Sequence, residues 1–257
     1  MNAPTVSPLH CRCSGHGLDW VLLHGWGLHA GIWEPVVESL AARAKLHLYD
    51  LPGHGHSTRC SAFTLDDACA ALAQSAPEQA DWIGWSLGGM LALEFAARYP
   101  QRVRRLILVA SNPRFVTASD WPHAMAPDVL EDFARALESD YDDTVKRFLA
   151  LVARGAPDNG VLRSLRNALR QVPQPTIAGL RSGLEILRSA DLRARLRSVA
   201  VPVLLQGGTR DSLVPIAALR ELAELHSNVR LHEIVDAGHA PFLSHPHSFI
   251  DSLTEFL

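Results

Sequence analysis

The chain has 257 residues, 47% of them hydrophobic and 20% charged. That supplies ample apolar surface for a packed core and excludes disorder over most of the length. Twenty-four lysines and arginines against 27 aspartates and glutamates give a net charge of −3, which argues against general nucleic-acid binding, because that needs a basic footprint.

The opening stretch, MNAPTVSPLH, has neither the basic nor the apolar segment of a secretion signal. No run approaches the roughly 18 apolar residues of a membrane span, so a reducing cytoplasm is the expected setting. His10, Cys11, Cys13 and His16 follow at a spacing too cramped for a metal cluster, and they read as an N-terminal strand and turn. Cys60 and Cys69 complete the four cysteines. None stands in a C-x-x-C pair, and no disulfide framework is expected.

Trp20 to Leu23 reads as a strand entering a Gly-rich turn, followed by a helix from about Trp33 to Ala42. Leu46 to Tyr49 is the next strand and runs into the turn Asp50-Leu51-Pro52-Gly53. A helix near Leu65 to Ser75 precedes the run Trp82 to Trp85, and another covers about Leu87 to Tyr99. Leu106 to Val109, Val203 to Leu205 and Leu231 to Val235 are the remaining strands. Between Val116 and Ser189 the alternation stops. Helical patterns replace it, such as Val145, Phe148, Leu149 and Val152 at i, i+3, i+4, i+7, divided by Pro157, Pro173 and Pro175. The expectation is an α/β fold with a mostly parallel central sheet flanked by helices. Residues 1–115 and 190–257 form its core, and 116–189 an inserted helical cap.

Gly84-Trp85-Ser86-Leu87-Gly88 is a G-x-S-x-G placed between a strand and a helix. A nucleophile on so sharp a turn needs small neighbours two residues away on either side. Ser86 would stand at a helix N-terminus, where the dipole and the Leu87 N–H favour developing negative charge. Its base would be His239, in the loop after the last strand, where an open α/β sheet places its site. His54 and His56 flank a turn glycine and read as structural or solvent-facing, and His245 and His247 open the last helix. Asp211, just past the penultimate strand, would orient the base. Asp236 stands only three residues before His239 and would tie up its own loop. The chain order Ser86, Asp211, His239 is that of α/β-hydrolases. His24-Gly25-Trp26-Gly27 after the early strand would pair the Trp26 N–H with that of Leu87 as an oxyanion hole. The Trp26 ring could line an acyl pocket or simply pack.

These parts resemble the α/β-hydrolase superfamily over nearly the whole chain. His24-Gly25-Trp26-Gly27-Leu28, Asp50-Leu51-Pro52-Gly53-His54-Gly55, Gly84-Trp85-Ser86-Leu87-Gly88-Gly89, Arg147-Phe148-Leu149-Ala150-Leu151, Gly183-Leu184-Glu185-Ile186-Leu187 and Gly238-His239-Ala240-Pro241-Phe242 closely resemble the pimeloyl-[acyl-carrier protein] methyl ester esterases of biotin synthesis. The resemblance implies a serine carboxylesterase that frees the terminal carboxylate of a carrier-bound pimeloyl chain. It implies no cofactor or metal, and a monomer whose partner is an acyl-carrier protein. Phe148 resembles the cap phenylalanine that touches the acyl chain; by composition alone it would be cap core.

The cap's charge is segregated. Asp120 to Asp143 holds eight acids and one base, and Lys146 to Arg188 eight bases and two acids. Arg163, Arg166 and Arg170 at i, i+3, i+7 would share one helical face, with Lys146, Arg147 and Arg154 on the preceding helix. Taken alone, this could be a solvated face paired with the acidic half. With the resemblance, Arg147, Arg163, Arg166 and Arg170 are expected to dock the acidic carrier. Asp143 and Lys146 depart from the family, which tends to carry further arginine before Arg147-Phe148. Two other functions fit the same motifs: a broad short-chain carboxylesterase, and a catalytically silent binding module.

Overall fold

The computed structural model describes residues 8–58 and 62–257. The first seven residues and Cys60 lie outside them. Seven strands form one sheet: β1 (Cys11–Ser14), β2 (Asp19–Leu23), β3 (Lys45–Tyr49), β4 (Ala80–Trp85), β5 (Val103–Val109), β6 (Val203–Gly208) and β7 (Val229–Ile234), in the order β1-β3-β2-β4-β5-β6-β7. β1 runs antiparallel to β3, and every other pairing is parallel. Crossover helices cover both faces, so β4 at the centre is buried at all six positions, which is why it reads as a continuous apolar run.

The one charge in that run, Asp81, is fully buried. Its carboxylate accepts from Arg104 at 3.1 Å and from Arg105 at 3.0 and 3.1 Å, both on β5. The apolar run alone places β5 from Leu106, and the strand begins three residues earlier because these arginines are held there. A buried carboxylate left without partners would cost about 3–5 kcal/mol.

Helices α1 (Glu34–Ala41), α2 (Leu65–Ser75) and α3 (Leu87–Arg98) connect the first strands. The sequence places the start of α1 near Trp33. A 3-10 turn at Ala30–Trp33, capped by His29, occupies that point, and the α-helix follows with Pro35 in its first turn. Between β5 and β6 lie α4 (Pro127–Ser139), α5 (Tyr141–Ala153), α6 (Gly160–Leu169), α7 (Ile177–Ser189) and the short α8 (Arg193–Ser198). α4 packs on α5 and α7, and α5 on α6. α9 (Ile216–Leu225), α10 (Pro241–Ser244) and α11 (Pro246–Phe256) complete the chain. The helical insertion meets the rest through α7 against α3 and α6 against α10. Among the described residues no helix is long and apolar enough to cross a membrane.

Candidate active site

Ser86 connects the end of β4 to α3 with φ 56° and ψ −121°, a strained conformation for a residue with a side chain. The turn is tight because strand and helix nearly touch. A Cβ on Gly84 would lie 2.5 Å from Gly89 Cα, and one on Gly88 would lie 2.5 Å from the carbonyl oxygens of Leu23 and His24. The spacing of the G-x-S-x-G therefore follows from steric exclusion on both sides of the serine.

His239 enters from the loop between β7 and α10. Its Nε2 faces Ser86 Oγ at 2.9 Å, and its Nδ1 donates to Asp211 Oδ2 at 2.8 Å. With the proton on Nδ1, Nε2 carries the lone pair toward the hydroxyl. The other oxygen of Asp211 accepts from the N–H groups of Leu213 and Val214 at 2.8 and 3.0 Å, which fixes the carboxylate. All three residues are buried. Asp236 pairs instead with Arg210 at 2.7 Å, and its own N–H donates to Thr209 Oγ1. It serves its loop.

The Gly25–Gly27 loop runs against the serine: a Cβ on Gly25 would lie 3.3 Å from Ser86 Cβ. Trp26 follows Gly25 in this loop, and Leu87 follows Ser86 at the start of α3. Two buried histidines hold this loop. His24 Nδ1 donates to the Gly25 carbonyl, and its Nε2 accepts from the Leu51 N–H at 2.9 Å. His54 Nδ1 donates to the Pro52 carbonyl, and its Nε2 accepts from the Gly27 N–H at 3.2 Å. Burial, with His54 opposing a charge on its neighbour, lowers His24 to about 3, and burial lowers His54 to about 4. Both are neutral spacers. His56 is exposed, so the two histidines around Gly55 divide between structural and solvent-facing roles.

The Trp26 ring is fully buried and donates to the Leu180 carbonyl of α7 at 2.8 Å. Phe148 of α5 meets it edge-on at 4.6 Å. Gly183 makes this approach possible, since a Cβ there would lie 2.6 Å from Trp26 Cδ1 and 3.0 Å from Leu87 Cδ2. Likewise the Thr176 N–H donates to the Gly53 carbonyl at 2.8 Å, and Gly53 and Gly179 leave room for that contact. The motifs scattered along the sequence meet at one seam between insertion and core.

Arg147, Arg163, Arg166 and Arg170 are all exposed. Among the described residues none of them forms an ion pair; those acids of the insertion that do pair do so with other arginines, as in Arg181–Glu138 and Arg135–Asp132. Arg166 and Arg170 line a depression with Lys146 between α5 and α6. Arg147 and Arg154 line another, of about 600 Å³, between α4, α5 and α6. The cations are thus split between two flanks of α5 rather than gathered on one.

Sequence patterning misses Trp85, whose Nε1 donates to the His239 carbonyl at 2.7 Å. Its place inside the G-x-S-x-G was the available signal. Among the described residues one group of three potential metal ligands converges, Cys11, Cys13 and His47 on the sheet edge. His10, instead of joining those cysteines, pairs with Asp50 at 3.0 Å.

The sequence pattern of the α/β hydrolase fold family matches residues 21–246. The chain is 42% identical over 246 residues to a pimeloyl-[acyl-carrier protein] methyl ester esterase of Nitrosomonas europaea, covering 95% of this chain and 98% of that protein. It is 44% identical over 244 residues to the enzyme of the same name from Chromobacterium violaceum, covering 95% of each. Among solved structures it resembles an esterase from Exiguobacterium antarcticum with TM-score 0.87 at 21% identity, covering 96% of this chain and 94% of that one. It also resembles a bromoperoxidase from Bacillus anthracis with TM-score 0.86 at 20% identity, again covering 96% and 94%. These structural likenesses carry the fold alone.

Proposed function

This chain belongs to the α/β hydrolase fold family, and to the pimeloyl-[acyl-carrier protein] methyl ester esterases within it; from that premise we propose that it removes the methyl ester from pimeloyl-acyl-carrier protein in biotin synthesis. The observation that carries the reaction class is the hydrogen-bonded chain Ser86–His239–Asp211 beside a strained strand-to-helix turn. The near-full-length kinship to the esterases supports the substrate.

In this reading Ser86 Oγ attacks the ester carbonyl while His239 Nε2 takes its proton, and Asp211 steadies the resulting imidazolium. The N–H groups of Trp26 and Leu87 receive the oxyanion. Collapse expels methanol, protonated by His239, and leaves an acyl-enzyme. Water activated by His239 then frees the carboxylate. His239 returns the water's proton to Ser86 Oγ, and the freed carboxylic acid releases its own proton to solvent. Residues 1–115 and 190–257 act as the catalytic core of a cytoplasmic monomer, and 116–189 as its cap. Trp26 and Phe148 form the wall along which the acyl chain passes. Arg147, Arg163, Arg166 and Arg170 face the acidic carrier.

Restoring growth of a biotin auxotroph that lacks this esterase tests the physiological reaction. Turnover of carrier-bound against free methyl pimelate tests the substrate: a marked preference for the carrier-bound ester is expected. Equal turnover of both would favour a broad short-chain esterase.

A further inference from the structure

The outer edge of the sheet gathers two thiols and an imidazole that ester hydrolysis does not use. Strand residues two apart face the same side, so Cys11 and Cys13 share a face, and the antiparallel register sets His47 of β3 directly across from Cys13. The two sulfurs and a His47 ring nitrogen lie within 4.8 Å of one another. Cys13 Sγ and His47 Nδ1 are 3.5 Å apart. A tetrahedral zinc with Zn–S of about 2.3 Å and Zn–N of about 2.0–2.1 Å holds its sulfur and nitrogen ligands about 3.5 Å apart.

The imidazole is already oriented for that role. His47 Nε2 donates to Asp19 Oδ1 at 2.6 Å, which leaves the Nδ1 lone pair aimed at the sulfurs. A carboxylate behind a ligating histidine is the usual way a zinc ligand is fixed in tautomer and direction. We propose that Cys11, Cys13 and His47 bind one zinc ion, with Asp19 positioning the imidazole.

Binding forms two Zn–S bonds and one Zn–N bond and releases the two thiol protons to solvent, so the thiolates balance the charge of the ion. Cys13 is exposed, and the fourth position opens to water on that side. Three soft or borderline donors select zinc over magnesium or calcium, which prefer oxygen. The ion would clip the edge strand β1 to β3. It would not touch Ser86, Asp211 or His239, which lie at the ends of other elements.

Cobalt titration of the reduced, metal-stripped full-length protein tests this. The expected result is one equivalent bound, with a sulfur-to-cobalt charge-transfer band and the visible bands of tetrahedral cobalt, all displaced by zinc. Cys13→Ser and His47→Gln should each weaken binding by at least about a hundredfold, and Asp19→Asn by about 10–100-fold. Hydrolysis of a small ester should be unchanged in all three variants, which shows that they fold. Should a variant misfold, the wild type answers alone: zinc should shield Cys13 from alkylation in the native protein. Absence of the sulfur-to-cobalt band at saturation, a cobalt affinity unchanged in Cys13→Ser, or unshielded Cys13 overturns the proposal.

Discussion

The indole N–H of Trp85 donates to the backbone carbonyl of His239 at 2.7 Å, so the residue beside the proposed nucleophile also anchors the loop that carries its proposed base. Nucleophile and base are thereby tied together by a bond separate from the reacting one. The ring packs on Phe242 at 5.1 Å, and Trp85→Phe keeps most of that packing while deleting the donor. The buried carbonyl of His239 would be left unpaired, at a cost of about 1–3 kcal/mol. We expect kcat to fall by roughly tenfold, as small misplacements of a base do, with KM for a small ester nearly constant. Unchanged kcat together with unchanged Tm would remove the anchor from the account.

Ser86, the proposed nucleophile, also sits at a strained turn. Ser86→Ala and Ser86→Gly should each lower esterase kcat by about 10⁵–10⁶, as loss of a triad nucleophile does. Their stabilities should differ. Alanine keeps the unfavourable φ of 56°, whereas glycine adopts it freely. The glycine variant should therefore be about 1 kcal/mol more stable than the alanine variant, relief of strain outweighing the greater entropy of the unfolded glycine chain. Equal denaturation midpoints would mean that no strain is stored at the turn.

Two acids stand near His239, and only one faces it. Asp211→Asn should reduce turnover by about 10⁴, because the amide presents the wrong partner to Nδ1 and favours the wrong tautomer. Asp236→Asn should lose only its exposed pair with Arg210, worth up to about 1 kcal/mol of stability, and little activity. Reversal of the ranking in steady-state assays would reassign the acid.

The hydrogen-bonded set Ser86, His239 and Asp211 is legible in sequence because its constraints are local. Gly84 and Gly88 follow from steric contact around one turn, and Asp211 and His239 each follow the end of an apolar strand. What escapes is set by strand order, which no local pattern carries. Asp81 looks like an interruption of an apolar run until β5 is laid beside β4 and supplies two arginines. Cys11 and Cys13 read as plain strand residues because His47 lies 34 positions beyond Cys13, and only the β1–β3 pairing brings it across. The same holds for the arginines of the insertion. Helical periodicity places Arg163, Arg166 and Arg170 on one helix face, but the packing of α5 against α4 and α6 puts Arg147 on a different flank.

The buried histidines that hold the Gly25–Gly27 loop predict an acid limb. His24 and His54 have folded pKa values lowered to about 3 and about 4 by burial, against about 6.5 unfolded. Between those values the unfolded chain binds more protons than the folded one. Stability is therefore full above about pH 6.5 and is lost as pH falls toward about 4, by up to about 1.4 kcal/mol per pH unit for each histidine. His54→Gln retains an acceptor for the Gly27 N–H and removes one titration. Its Tm should decline less steeply in this window than that of the wild type. Identical slopes would place the acid limb elsewhere.

The last expectation concerns the exposed cations. Arg163, Arg166 and Arg170 have no carboxylate partner among the described residues, so reversing them breaks no ion pair seen in the fold. Arg163→Glu, Arg166→Glu and Arg170→Glu combined should lower kcat/KM for the carrier-bound ester about tenfold or more, and barely change it for a small free ester. Rim charges act mainly on encounter rate, which is why the loss should appear in kcat/KM and leave kcat largely intact. Wild-type kcat/KM for the carrier substrate should also fall with added salt, since exposed charges are screened over about 8–10 Å at physiological ionic strength. The small ester should show little response to salt. Equal losses on both substrates would indicate damage to the cap itself. No loss on either would move the docking surface to the other flank of α5, where Arg147 and Arg154 line the second depression, and the corresponding Arg147→Glu, Arg154→Glu protein would then be the one to show the carrier-specific defect.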